Sequence, residues 1–187
     1  MRPPIAATLV IFCFCVCVVL AQDAKKPQEP EYANAFFSLD KDGNLKPLER
    51  QAAKIETKVR AGGYGGADSK YVVPNEHSTV RFPANVGLQF VVRPEPNNVD
   101  PATIIQLYSL KVAKGQREVR VAKFRQFSGD KSTLGTAAVS FDIAKYGENS
   151  VLLKPQTTLA PGEYMWAANS TLMVPQAYCF GVDAPNP

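Results

Sequence analysis

From Tyr71 onward, apolar residues come in short runs rich in Val, Ile, Phe and Tyr, each bounded by Pro, Gly, Asn or Asp. The runs are "YVV", "STVRF", "GLQFVVR", "ATIIQLYSLKV", "REVRVAKFRQF", "AAVSFDI", "NSVLLK", "GEYMWAA" and "QAYCFGV". Alternation is plainest in "REVRVAKF", where Val119 and Val121 oppose Arg120. A period of two is the mark of a strand with one buried face. Between "LKV" and "REV", the stretch Lys114-Gly115-Gln116 predicts a hairpin. No segment after Tyr71 keeps an apolar 3.6-residue period for three turns. Many short strands separated by turn residues predict an all-β fold, an antiparallel β-sandwich.

Upstream of Tyr71 the pattern is sparser. Phe36, Phe37 and Leu39 precede an Asp/Gly/Asn cluster, and Leu45 and Leu48 follow it on either side of Pro47, which predicts two short strands joined by a turn. In "AAKIETKVR", Ile55, Thr57 and Val59 alternate with Glu56 and Lys58, a further strand. "AGGYGGADS", residues 61–69, is expected to be a linker or mobile loop. It lacks the Gly-Lys-Ser/Thr ending of a phosphate-binding loop, and no helix pattern follows to supply a dipole. "QDAKKPQEPE", residues 22–31, is polar with two prolines and predicts a flexible arm.

The start of the chain changes the expected compartment. "MRPPIAATLVIFCFCVCVVLA" places one Arg before an apolar run from Ile5 to Leu20 and closes on Val19-Leu20-Ala21, the pattern of a secretory signal cleaved before Gln22. The run falls short of the ~20 apolar residues a spanning helix needs, which disfavours the competing reading, a retained membrane anchor. Cys13, Cys15 and Cys17 would leave with the signal, so Cys179 alone would remain and no internal disulfide could form. The expected location is exported, periplasmic or extracellular.

"LAPGEYMW" resembles the tyrosine corner of immunoglobulin and fibronectin type III-like domains, through Leu159, Pro161, Gly162 and Tyr164. The resemblance implies an immunoglobulin-like sandwich in which the Tyr164 hydroxyl returns to the chain just upstream. It assigns Val151–Leu153, Gly162–Ala168 and Gln176–Asp183 to the last three strands, with Trp166 beside Cys179; the family's disulfide is missing. The expected organisation is signal 1–21, arm 22–31, a β-hairpin segment 32–60, a Gly-rich linker 61–70, a sandwich 71–183 and a tail 184–187. The order Phe-Phe-x-Leu-Asp, Gly43-x-Leu45-x-Pro47-Leu48-Glu49-Arg50-Gln51, Leu-x-Pro-Gly-Glu-Tyr and Tyr178-Cys179-Phe180-Gly181-Val182-Asp183 is also similar to exported bacterial proteins of no assigned activity. In those the turn between Leu39 and Leu45 is variable and often not acidic.

Charge excludes one class of partner. The chain carries 21 Lys and Arg against 17 Asp and Glu, a net charge of +4, and the basic residues are scattered among acids instead of forming a stripe, so nucleic acid is not expected. His77 is the only histidine, in the polar stretch "PNEHST", and Cys179 sits between Tyr178 and Phe180 in a core-like strand, so a Cys-His nucleophilic pair is not expected. One His and one Cys cannot close a zinc site, and no Gly-x-Ser-x-Gly elbow is present. The acid pairs Glu29/Glu31 and Asp40/Asp42 lie in polar segments. Among aromatics, Tyr64, Tyr108, Tyr146 and Trp166 could stack on a ligand; Trp166 is expected in the core and Tyr64 exposed. Asn169-Ser170-Thr171 fits a glycosylation acceptor in a eukaryotic host.

Asp40, Asp42 and Asn44 occupy the first, third and fifth places of a calcium-binding EF-hand loop. They are the weak metal candidates of the chain. Leu45 stands where the loop needs glycine, Pro47 has no amide to give, and Gln51 replaces the bidentate glutamate, so a tight turn is the expected role. The sequence therefore predicts an exported non-enzymatic binding or structural module with no cofactor, acting on a protein or envelope partner, with membrane contact only through a retained signal. The alternatives are a carboxylate-dependent hydrolase and a weak calcium-dependent adhesion module.

Overall fold

The computed structural model describes residues 26–59, 67–95, 98–124, 137–168 and 175–185. The signal with its cysteines, Tyr64 and the Asn169 acceptor lie outside the described residues. Among the described residues, thirteen strands and one helical turn, Pro101–Ile104, form an all-β fold. Phe36–Leu39 (β1) and Leu45–Pro47 (β2) are followed by Glu49–Ala52 (β3), Lys54–Val59 (β4), Ala67–Pro74 (β5), Arg81–Phe82 (β6) and Phe90–Val92 (β7). After the helical turn (α1) come Ile105–Ala113 (β8), Gln116–Phe124 (β9), Phe141–Tyr146 (β10), Ser150–Pro155 (β11), Gly162–Ala168 (β12) and Gln176–Val182 (β13). The expected strand at "ATIIQLYSLKV" thus loses its first turn to α1, because the Asp100 side chain accepts from the Ala102 amide and Pro101 opens the turn.

Two sheets pack face to face. One runs β10-β11-β7-β1-β2; the other runs β3-β13-β12-β8-β9-β5-β4, with β6 added parallel to β13. The core between them holds Phe36, Phe90, Leu107, Leu153, Tyr164, Trp166, Tyr178 and Phe180. Trp166 lies at its centre, stacked on Phe36 at 5.7 Å between ring centroids, with Phe141 edge-on at 4.9 Å. The Tyr164 hydroxyl donates to the Ala160 carbonyl at 2.8 Å, so the corner contact predicted from "LAPGEY" is formed.

The larger sheet has a second buried face. β8 pairs with β12 over Ile105–Leu110 and with β9 over Lys111–Ala113, and this switch carries β9, β5 and β4 over the far side of β12 and β13. Val73, Tyr108, Val119, Met165, Ala167, Ala177 and Cys179 fill the space enclosed. β12 and β13 are therefore buried on both faces, which is why "EYMWA" and "AYCFGV" read as continuous apolar runs and not as alternation. Trp166 faces the first core and Cys179 the second, and the residue opposite Cys179 is Met165, not Trp166.

The segment 32–60 differs from the expected separate hairpin. β1 and β2 do pair across the Asp40–Asn44 turn, but β1 also pairs with β7, and β3 pairs with β13. Both sheets need it, because β7 and β13 would otherwise end with unpaired backbone. Residues 67–70, expected in the glycine linker, belong to β5, and β4 pairs with β5 from Lys54↔Val72 to Val59↔Ala67. β4 and β5 thus pair as antiparallel neighbours, and the rest of the expected linker, residues 61–66, lies outside the described residues. Nor is the arm free from Lys26 onward: the Glu29 carboxylate accepts from the amides of Glu148 and Asn149 and from the Ser150 hydroxyl, at 2.7, 2.9 and 2.7 Å. Gly147, at φ +64°, lies against that carboxylate, where a Cβ would collide with it.

Candidate functional site

Titratable side chains gather in one place, at one end of the second core. Strand parity delivers them there. Leu48 points into the first core, so Glu49 at the start of β3 points into the second; Tyr164 and Glu163 on β12 divide in the same way. On β9, Arg117 shares the inward face of Val119. From the edge, Arg81 on β6 reaches over Gly181 on β13, and a Cβ at Gly181 would fall on its guanidinium. The missing side chain at Gly181 leaves the room that the guanidinium occupies.

The Arg117 side chain is 0% exposed and binds Glu49 through both ends, Nη2 to Oε1 at 3.1 Å and Nη1 to Oε2 at 3.3 Å. Its Nη1 also stands 3.6 Å from Glu163 Oε2. The remaining donors go to the carbonyls of Pro74 and Asn75, at 3.0 and 3.1 Å. Glu163 Oε1 accepts from Arg81 Nη1 at 2.7 Å and lies 3.3 Å from His77 Nδ1, while its Oε2 accepts from the Ser78 amide at 2.8 Å. Glu49 takes two more donors, Gln51 Nε2 at 2.9 Å and the Thr79 amide at 3.1 Å. Arg81 Nε closes the chain on Asp183 at 2.6 Å. Burial alone would raise the Glu49 carboxyl; hydrogen bonds from Arg117, Ser78 and Gln51 outweigh it and hold the group below its ordinary value.

Each oxygen of Glu49 and Glu163 thus has two donor groups around it. Such an arrangement fastens the segment 74–82 onto the sheet. It occupies the oxygens of both glutamates with donors from the protein itself. The sole described thiol is as closed: Cys179 is 0% exposed, and burial pushes it up to about 12. The His77 ring, 70% exposed, meets Glu163 and not the thiol.

The metal candidates are engaged in the turn itself. Asp40 Oδ1 accepts from the amides of Asp42 and Asn44 at 3.0 and 2.8 Å, and Lys46 lies 3.5 Å from Oδ2. The bond from the Asn44 amide is the largest effect on Asp40 and helps hold its carboxyl below the ordinary value. This is the chemistry of an Asx turn, with Gly43 at φ +82°. Among the described residues no group of three or more His, Cys, Asp or Glu could hold a metal.

A groove of about 800 Å³ runs over the outer face of β4, β5 and β9, lined by polar and charged residues. Here Lys70 bridges Glu56 at 3.2 Å and Glu118 at 2.6 Å. The Lys70 hydrogen bond holds Glu118 below its ordinary value.

Nothing in the local sequence marks Glu49, Arg117 or Glu163 as partners. Parity does mark Arg117: in "REVRV" it stands in register with Val119 and Val121, on the apolar face. No protein-family model matches the chain, and no curated protein matches it.

Proposed function

We infer that the chain is an exported, non-enzymatic binding or structural module of the cell envelope or exterior, similar to exported bacterial proteins and built on an immunoglobulin-like sandwich. The observation that carries the non-enzymatic part is the closed Glu49–Arg117–Glu163 cluster. A general acid at neutral pH needs a raised carboxyl and an open face; Glu49 is lowered and buried, and Glu118 in the outer groove is lowered by Lys70. The tyrosine corner supports the immunoglobulin-like reading, and the apolar run before Gln22 supports export. Surface exchange with a protein or envelope component remains as the mode of action.

Intact-mass measurement of the protein recovered from outside the cytoplasm tests export, with a chain starting at Gln22 expected. Recovery only inside the cell with residues 1–21 attached overturns it. Screening the same material for hydrolysis of ester, glycoside and peptide substrates tests the rest. Turnover that disappears in Glu163→Gln, with folding retained, would replace the module by a carboxylate-dependent hydrolase.

A further inference from the structure

β4 ends the larger sheet, and among the described residues no strand pairs with its second edge. All six residues are exposed, including Ile55 at 54% and Val59 at 60%. An open edge six residues long offers unpaired amides and carbonyls to another strand, and natural proteins usually blunt such an edge with charge, most often lysine. β4 does carry Lys54 and Lys58, yet Glu56 stands between them.

That order decides which strand fits. We propose that β4 pairs with β4 of a second copy of this chain, antiparallel and centred on Thr57, joining two larger sheets into one. A two-fold axis through this pair keeps each face on its own side, so residues of like parity meet. Centred on Thr57, Glu56 falls opposite Lys58 of the second copy and Lys58 opposite its Glu56. On the other face Ile55 meets Val59, Val59 meets Ile55, and Thr57 meets Thr57. Over positions 55–59 both charged pairs are opposite in sign and both apolar pairs match, the cross-strand combinations that stabilise an antiparallel ladder. Shifting the centre to Glu56 or Lys58 places like charges face to face, and shifting it to Ile55 pairs Lys54 with Glu56 but gives up both Ile55–Val59 contacts, so charge and apolar matching together favour Thr57.

The monomer already holds half of the resulting ladder. Glu118, Lys70 and Glu56 alternate in sign across the outer face, and Lys58 of the second copy continues the alternation. The surface joined is small, so the dimer is weak and depends on concentration. The inference stands apart from the export reading, since it rests on β4 alone.

The test is the mass of the whole protein against concentration, by analytical ultracentrifugation, with charge-swapped variants. The native protein passes from one chain to two as concentration rises. Glu56→Lys and Lys58→Glu each set like charges opposite and weaken self-association about tenfold or more. An equimolar mixture of the two variants restores dimers, because each Lys then meets a Glu. Circular dichroism verifies that both variants fold; should either not, Ile55→Lys, at an exposed position, serves as the disrupting variant. A native protein that stays monomeric throughout overturns the proposal. So does a dimer indifferent to these changes, or a mixture that fails to recover.

Discussion

Replacing Arg117 by Met keeps most of the side-chain volume and removes the charge, leaving Glu49 and Glu163 buried with fewer donors. Arg117 makes two bonds to Glu49, one longer ion pair to Glu163 and two bonds to backbone carbonyls, all with its side chain 0% exposed. Removing one member of a buried pair costs about 3–5 kcal/mol, mostly from the charge left unpaired. Against a total stability of ~5–15 kcal/mol that is a large fraction, and at roughly 2–4 °C per kcal/mol it lowers Tm by about 6–20 °C. Trp166, fully buried, provides a fluorescence signal for urea unfolding. The pH dependence gives a second reading. Glu49 is depressed in the folded protein, so its stabilisation is present above 4.5 and is lost as pH falls through its lower folded value. Without Arg117 burial dominates and the carboxyl protonates at higher pH. The deficit of Arg117→Met is therefore largest near pH 7 and shrinks as the medium is acidified, and adding Glu49→Gln to the variant recovers part of it. A loss below about 1 kcal/mol at pH 7, or a deficit that widens in acid, would refute the argument from buried pairing.

Four smaller perturbations probe other parts of the molecule. Tyr164→Phe, which removes the bond to the Ala160 carbonyl, costs about 0.5–1.5 kcal/mol in urea unfolding. The Cys179 thiol, closed and raised to about 12, resists alkylation at neutral pH in the native protein and reacts on adding urea, so an immediate reaction would contradict its burial. Millimolar calcium added after chelation leaves Tm unchanged, since Asp40 Oδ1 is already taken by two amides; a rise in Tm would restore the calcium reading. Glu29→Ala frees the amides of Glu148 and Asn149, which then exchange hydrogen faster by mass spectrometry, whereas unchanged protection would show the arm contact to be dispensable.

The β character of the chain was legible wherever one strand face sets the pattern. "REVRVAKF", the Lys114-Gly115 hairpin with φ values of +55° and +75°, and the corner at Tyr164 all signal through residues a few places apart. Partner choice was not legible, because it is non-local. β3 finds β13 across 130 positions at Glu49↔Cys179, and no local pattern in "ERQA" specifies that. Residues 67–70 gave no strand signal of their own, since Ala67, Asp68 and Ser69 carry no apolar alternation and only the ladder with β4 makes them a strand. The charged cluster required knowing that the larger sheet covers both faces of β12 and β13; with one covered face, Glu163 would have been an ordinary surface acid.

The place of β13 also bears on when the protein can fold. It is the last of the described strands in chain order, yet it sits between β12 and the early strands β3 and β6, contributes Phe180 to one core and Cys179 to the other, and passes under Arg81 at Gly181. Until it arrives, β3 has no ladder and neither core is sealed. Contacts of such sequence separation make folding slow, because the chain between them must be closed before the pairing rewards it. Pairing of this one strand therefore closes both cores together.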